Sequence, residues 1–361
     1  MKHKIIWIIA ILVLVFLAVS AGKNDTENVD GETVKIGVIT PLTGDLAYWG
    51  ESSVFGIALA KKDLAVEGIN TEFIIEDGQL EPTKALNAAQ KLVNSDNVVA
   101  IYSEFNPAAI AVTSFLKDKN VFHLYDAAPV SPLENTRSVY KTYLDYFESC
   151  KKVAQIANKR GWDKLGVLKI NLEFGDLCLQ GIKSVYGDNL IVQEYNPGTR
   201  DFRSMILKLK DQNVKAVSNV SFVAESFSSL KQMEQQGLKV PFVGLAEIIS
   251  PDSSTEYGLM LENSILFGLP EVEENFSVRL KQEFPGKTVG NIQASALAFI
   301  HAKQLAYAFT KCGRHLDCVD KQFDRFGPES LIGFQGFTNR VAGFDVWIGT
   351  LKNGALVKLG N

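Results

Sequence analysis

Residues 34–60 read VKIGVITPLTGDLAYWGESSVFGIALA. Val34 to Thr40 is strand-prone and runs into Pro41 and Gly44, which punctuate it. From about Trp49 the apolar residues Val54, Ile57, Ala58, Leu64 and Ala65 recur at helical spacing. A strand, a turn and a helix in that order predict a βα unit, and the unit repeats. Thr71–Glu76 (TEFIIE) predicts the next strand. Pro82 opens a helix to about Asn94, at a position where its missing N–H costs nothing. Val98–Tyr102, Pro107–Lys117 and Val121–Tyr125 then predict strand, helix and strand. The βαβαβαβ series predicts a mostly parallel sheet covered on both faces.

The pattern restarts further on. A helix is expected from about Tyr146 to Arg160, with Gly161 ending it, followed by strand 164–169 and helix 174–186. Leu190–Tyr195 predicts a strand, and Asp201 is expected to cap a helix that turns Phe202, Met205, Ile206 and Leu209 inward. Ala216–Val220, Ala224–Gln236 and Phe242–Gly244 add strand, helix and strand. After residue 270 come two helices (about Phe276–Phe284 and Ile292–Lys311). A β-rich tail follows, Phe344–Thr350 and Ala355–Leu359, joined at Asn353-Gly354. Two consecutive sets define the fold class: α/β, with two Rossmann-like lobes of mostly parallel sheet.

Composition narrows the function by exclusion. Lys and Arg number 37 against 41 Asp and Glu in 361 residues, a net charge of −4, which argues against a nucleic-acid partner. The histidines and cysteines never fall at C-x2-C or H-x3-H spacing, so no metal is expected. No G-x-G-x-x-G follows a strand, no phosphate-cradling G-x-x-x-x-G-K-[ST] occurs, and no G-x-S-x-G elbow occurs. No cofactor and no enzyme activity is therefore expected. His123, inside a strand, and His301, inside a helix, read as packed core residues.

The amino terminus sets the compartment. Lys2, His3 and Lys4 precede the apolar run Ile5–Ala21, which ends in small residues. Residues 1–21 read as a secretory signal, cleaved after Ala21 or retained as an anchor, and 22–33 as a polar linker. The remainder is expected to be exported, periplasmic or at the cell surface. Export makes disulfides available. Cys312 and Cys318 are close enough for a small loop staple, and Cys150 and Cys178 fall on helices expected to be neighbours; free buried thiols are the alternative.

In an open parallel sheet, ligands bind beyond the carboxyl ends of the strands. Here those ends carry Thr43, Asp45, Tyr48 and Trp49, then Glu104, Phe105 and Asn106, then Tyr125 and Asp126. In the second lobe they carry Phe174, Ser221, Phe222 and Glu247. Aromatics and carboxylates converging on a cleft suit a small polar molecule.

The opening stretch resembles that of type I periplasmic binding proteins of the leucine/isoleucine/valine-binding branch. So do EDGQLEPTKALNAAQKLVNSDNVVAIY (76–102), GTRDFRSMILKLKDQNVKAV (198–217) and AGFDVWIGTLKNG (342–354). The resemblance runs across about Val34–Asn361. It implies two lobes joined by three hinge crossings near Tyr143, Phe267 and Phe334, closing on a small ligand. Residues 34–143 and 270–333 would form lobe 1, and 144–269 with 334–361 lobe 2. It assigns Trp49 and Phe174 to the ligand cleft as aromatic walls. Asn106 stands where the family has a serine that grips a carboxylate, and Ala128, Pro129 or Val130 where a threonine helps. Glu247 stands at or beside an acid that receives an ammonium group.

The missing hydroxyls, with Glu104 and Asp126 nearby, disfavour ordinary α-amino-acid recognition and favour an amine, an amide or a polyol; a zwitterion held by Glu247 and backbone N–H groups is the remaining alternative. The expected function is the extracytoplasmic solute-binding subunit of an ABC importer, with a membrane permease as partner. A ligand-sensing ectodomain or regulator of the same fold is the second reading. An exported enzyme using Glu104 and Asp126 as an acid–base pair is the third.

Overall fold

The structure is a computed structural model that describes residues 33–44, 46–248, 261–353 and 355–359. The expected signal segment and most of the linker lie outside the described residues. Among the described residues no helix is long and apolar enough to cross a membrane.

The first set of elements is β1 (Val34–Thr40), α1 (Ala47–Val66), β2 (Thr71–Asp77), α2 (Pro82–Asn94), β3 (Ala100–Glu104), α3 (Asn106–Leu116), β4 (Phe122–Asp126) and β5 (Val139–Lys141). The second is α4 (Tyr146–Lys159), β6 (Leu165–Ile170), α5 (Glu173–Tyr186), β7 (Leu190–Tyr195), α6 (Arg203–Asp211), β8 (Ala216–Ser218), α7 (Val223–Gln235), β9 (Phe242–Leu245) and β10 (Ile265–Gly268). The chain ends in α8 (Glu274–Glu283), α9 (Ile292–Cys312), α10 (Leu316–Phe323), β11 (Phe334–Thr338), β12 (Val341–Phe344), β13 (Trp347–Lys352) and β14 (Ala355–Lys358).

Two seven-stranded sheets result, in the orders β11-β12-β5-β4-β3-β1-β2 and β14-β13-β10-β9-β8-β6-β7. β1 to β5 pair in parallel, as do β6 to β10, while β11–β12, β10–β13 and β13–β14 are antiparallel. Each core has the order 2-1-3-4-5, so each has a switch point between its first and third strands, where a crevice opens. The in-register pairs Thr40–Asp77 and Glu104–Asp126 align carboxyl ends of the first sheet.

The α/β lobes match the sequence expectation, and most boundaries fall within a few residues of it. The last part does not. Residues 334–344 were expected in the second lobe, but β11 and β12 extend the first sheet, with Val341 paired to Lys141. The third crossing is therefore at Asp345–Val346, not near Phe334. Phe344–Thr350 is two strands in two sheets, because each half finds a different partner and the local pattern carries no mark of the change. Likewise Phe267 lies within β10, and the second crossing is the stretch 269–273. β5 and β10, at 3 and 4 residues, are too short to show a period. Asp201 stands one residue before the boundary residue Phe202, yet its carboxylate accepts from Arg203 N, the first helical N–H, at 3.1 Å as a cap does, and it also binds the Arg203 guanidinium.

His123 and His301 are fully buried. His123 lies between the Ser103 and Thr113 hydroxyls at 2.8 Å each, and burial pushes it down to about 3, so it is neutral.

All four cysteines are bridged. Cys150–Cys178 ties α4 to α5 (Cα–Cα 5.1 Å), and Cys312–Cys318 ties the end of α9 to α10 (Cα–Cα 5.6 Å). Replacing both Cys150 and Cys178 with Ala is expected to lower stability by about 2–4 kcal/mol, read as a lower urea midpoint. An unchanged midpoint would show that the bridge adds nothing to α4–α5 packing.

Candidate functional site

At the carboxyl ends of both sheets lies a cavity of about 800 Å³, lined from both lobes. Tyr48 and Trp49 reach it from the first turn of α1, Phe105 and Asn106 from the start of α3, and Asp126 to Ala128 from the end of β4. Tyr143 comes from the first crossing, Tyr146 and Phe174 from the starts of α4 and α5, and Phe222 and Glu247 from the ends of β8 and β9.

The walls are mainly aromatic. Trp49 and Phe105 meet edge to face at 5.5 Å. Opposite them Tyr146 sits 6.2 Å from Tyr143 and 5.4 Å from Phe174, and Phe174 sits 5.7 Å from Phe222. Phe105 takes φ +70, unusual for a bulky residue, and its N–H donates to Asp126 O at 2.9 Å. This strained turn re-aims the chain between β3 and α3 beside the cavity, where such strain tends to be kept for function. Trp49→Ala is expected to weaken binding by about 1–3 kcal/mol in a calorimetric titration, the value of a lost stacking wall. Unchanged affinity with the fold intact would remove Trp49 from the site.

The charges are unevenly matched. Arg200 pairs with Glu225 at 3.4 Å, and Glu225 also accepts from Gly198 N. Asp126 is 4% exposed, with its Oδ2 3.4 Å from the Tyr102 hydroxyl. Burial and then the neighbouring Glu104 raise its carboxyl far above the usual range. Glu247 has no ion-pair partner among the described residues. Its side chain is open to the cavity yet ringed by protein, and that loss of hydration pushes its carboxyl up to about 7. The ring includes Tyr48, Tyr143 and Tyr146, whose phenols are raised by burial foremost, with the charge of Glu247 among the further causes.

Of the ten residues expected to line the cleft, the structure brings Tyr48, Trp49, Phe105, Asn106, Asp126, Ala128, Phe174, Phe222 and Glu247 together. Glu104 is the exception. It is 2% exposed and points to the face covered by α1, where its carboxylate accepts from the hydroxyls of Thr40, Ser53 (2.6 Å) and Tyr102 (2.9 Å). Glu104 is thus a satisfied core acid beneath the cleft wall. Asn106 uses its side-chain carbonyl to accept from Ala128 N at 3.3 Å. Tyr143, Tyr146, Arg200 and Glu225 were missed. Tyr143 and Tyr146 flank Asp145, which caps α4 through Glu148 N, and aromatic residues beside a cap at a lobe boundary are the signal that could have found them.

Lys141 braces the first crossing. It is fully buried, and its ammonium donates to the carbonyls of Tyr143 (2.6 Å) and Leu144 (2.9 Å), while burial pulls it down to about 8.

A pair of α/β lobes with a cleft at their strand ends is the architecture of a protein that encloses a small solute. The sequence profile of the periplasmic binding protein family matches residues 33–352, and the chain belongs to that family of solute-binding proteins, which are not enzymes. A curated relative, the Leu/Ile/Val-binding protein homolog 2 of Brucella abortus (strain 2308), is 24% identical over 262 residues, 67% of this chain and 68% of that protein. The solute binding protein of an ABC transporter from R. palustris, in complex with 4-hydroxybenzoate, is similar in structure with a TM-score of 0.78. It is 18% identical, with 91% of this chain and 96% of that one covered. LivJ from Streptococcus pneumoniae, in complex with isoleucine, has a TM-score of 0.74 and 17% identity, with 91% and 100% covered.

Proposed function

We propose that this protein is the extracytoplasmic solute-binding subunit of an ABC importer, and that it delivers a small solute bearing an ammonium or amide N–H group to a membrane permease. The observation that carries the reading is Glu247, a carboxylate without an ion-pair partner among the described residues, standing inside a ring of tyrosines in a cleft between two lobes. A cation there gains both from the carboxylate and from the faces of the aromatic rings. The Trp49 and Phe105 rings would clasp the apolar body of the solute. The relatives that hold isoleucine or 4-hydroxybenzoate support the scale of ligand, amino-acid-like or aromatic. Arg200 is already paired, so a carboxylate on the solute would depend on backbone N–H groups.

Native mass spectrometry of protein purified without refolding tests this reading. A stoichiometric small-molecule adduct that is released on denaturation is expected, and its mass and charge behaviour give its class. An adduct-free mass, together with no thermal shift across amino acids, amines, amides and sugars, would overturn it.

A further inference from the structure

The lobes also meet beside the cavity rather than within it. Glu173, the first residue of α5 in the second lobe, accepts hydrogen bonds from the first lobe. The donors are the Val130 N–H (2.8 Å), the Ser131 N–H (3.0 Å) and the Ser131 hydroxyl (2.5 Å). A carboxylate taking three donors at once from the opposite lobe ties the lobes together with directional bonds. Glu173 does not line the cavity, but its neighbour Phe174 does, as does Ala128 in the loop that carries Val130.

Both anchor points are stiff. In the first lobe the Tyr125 hydroxyl donates to Pro129 O at 2.8 Å, and Arg340 donates to Leu133 O at 2.8 Å and Thr136 O at 3.0 Å. In the second lobe the Cys150–Cys178 bridge fixes α5, which carries Glu173, to α4, which leaves the first crossing. A bond at this point therefore acts on whole lobes and not on a loose loop.

We propose that Glu173 is a closure latch, a positioning residue that sets solute affinity by holding the lobes shut without touching the solute. The proposal rests on the reading that the lobes close around a solute. Part of the closure free energy is then built into the protein. The solute-free chain samples the closed form, and the solute pays less to complete it.

The test needs no solute. Spin labels on Lys84→Cys and Lys208→Cys, exposed positions in α2 and α6, report the distance between lobes by double electron–electron resonance. The four native cysteines are bridged, so only the introduced thiols react. The solute-free protein is expected to show a closed population. In Glu173→Ala the ratio of closed to open should fall about tenfold, and Glu173→Gln, which keeps an acceptor for the two backbone N–H groups, should recover most of it. A lost fold contact alone would move the urea midpoint and leave the lobe distance unchanged. A Glu173→Ala distance distribution that coincides with the original, or a solute-free protein that is open throughout, would overturn the latch. Neither result would touch the solute-binding reading, which the mass measurement tests separately.

Discussion

Glu247→Gln is expected to weaken solute binding about 100-fold, close to 3 kcal/mol, measured by calorimetry with the solute recovered from the purified protein. That is the scale on which removing one member of an enclosed charge-assisted pair acts. Glutamine keeps the shape and one acceptor, so the loss isolates the charge.

The pH dependence follows from the same carboxyl. The surrounding protein strips it of hydration and raises it from 4.5 to about 7 in the solute-free protein, so the folded chain holds this proton more tightly than the unfolded chain does. Stability should therefore fall as pH rises through that window, and the cost should be complete above about 7. A cationic solute needs the carboxylate, so affinity should rise between pH 5.5 and 7.5 and then level. Glu247→Gln should show neither trend. Equal affinity in the variant, or a flat pH profile in the original protein, would remove Glu247 as the cation's partner.

The second large effect concerns the fold. Gly56→Val is expected to cost about 3 kcal/mol or more, read as a lower urea midpoint. Gly56 lies on the face of α1 that packs on α9, and a Cβ there would stand 2.0 Å from Ser295 O. The obstacle is helix backbone, so no side chain can turn aside. Around it the Ser295 hydroxyl donates to Ser52 O at 2.7 Å, and the Ser52 hydroxyl accepts from Asn291 N at 2.9 Å. Pushing the helices apart would loosen these bonds as well as the alanines packed beside them, the mechanism by which overpacking destabilises a close interface. α9 lies beyond the second crossing, so this contact also returns the chain to the first lobe before β13 and β14 join the second sheet. A midpoint within experimental error of the original would show that the helices can separate without cost.

The repeating β–α units were legible because most of the strands and helices are long enough to show an apolar run or a helical period, as in Val34–Thr40 and Pro82–Asn94. The cleft was legible for a topological reason. A parallel sheet gathers its strand ends on one edge of its lobe, and the resemblance to type I periplasmic binding proteins implied that the two edges face each other, with Trp49 on one side and Phe174 and Glu247 on the other. Glu104 was misread because the same position at a strand end serves either face, and only the hydroxyls of Thr40, Ser53 and Tyr102 decide which. Residues 334–344 were assigned to the wrong lobe because a strand's partner is a long-range choice that leaves no local trace.

The sequence by itself determined the fold class, the pairing of neighbouring cysteines as an option, and the set of aromatic and acidic residues at the strand ends, since these depend on local period and on order along the chain. Only the tertiary structure decided which carboxylates are consumed, which is left facing the cavity, where the third crossing falls, and that Glu173 grips the opposite lobe. The Glu173 grip draws donors from 42 and 43 residues away, Glu104 is satisfied in part by Ser53 and Thr40 at separations of 51 and 64, and the crossing depends on strand pairing within a sheet; such geometry exists only once the lobes are packed.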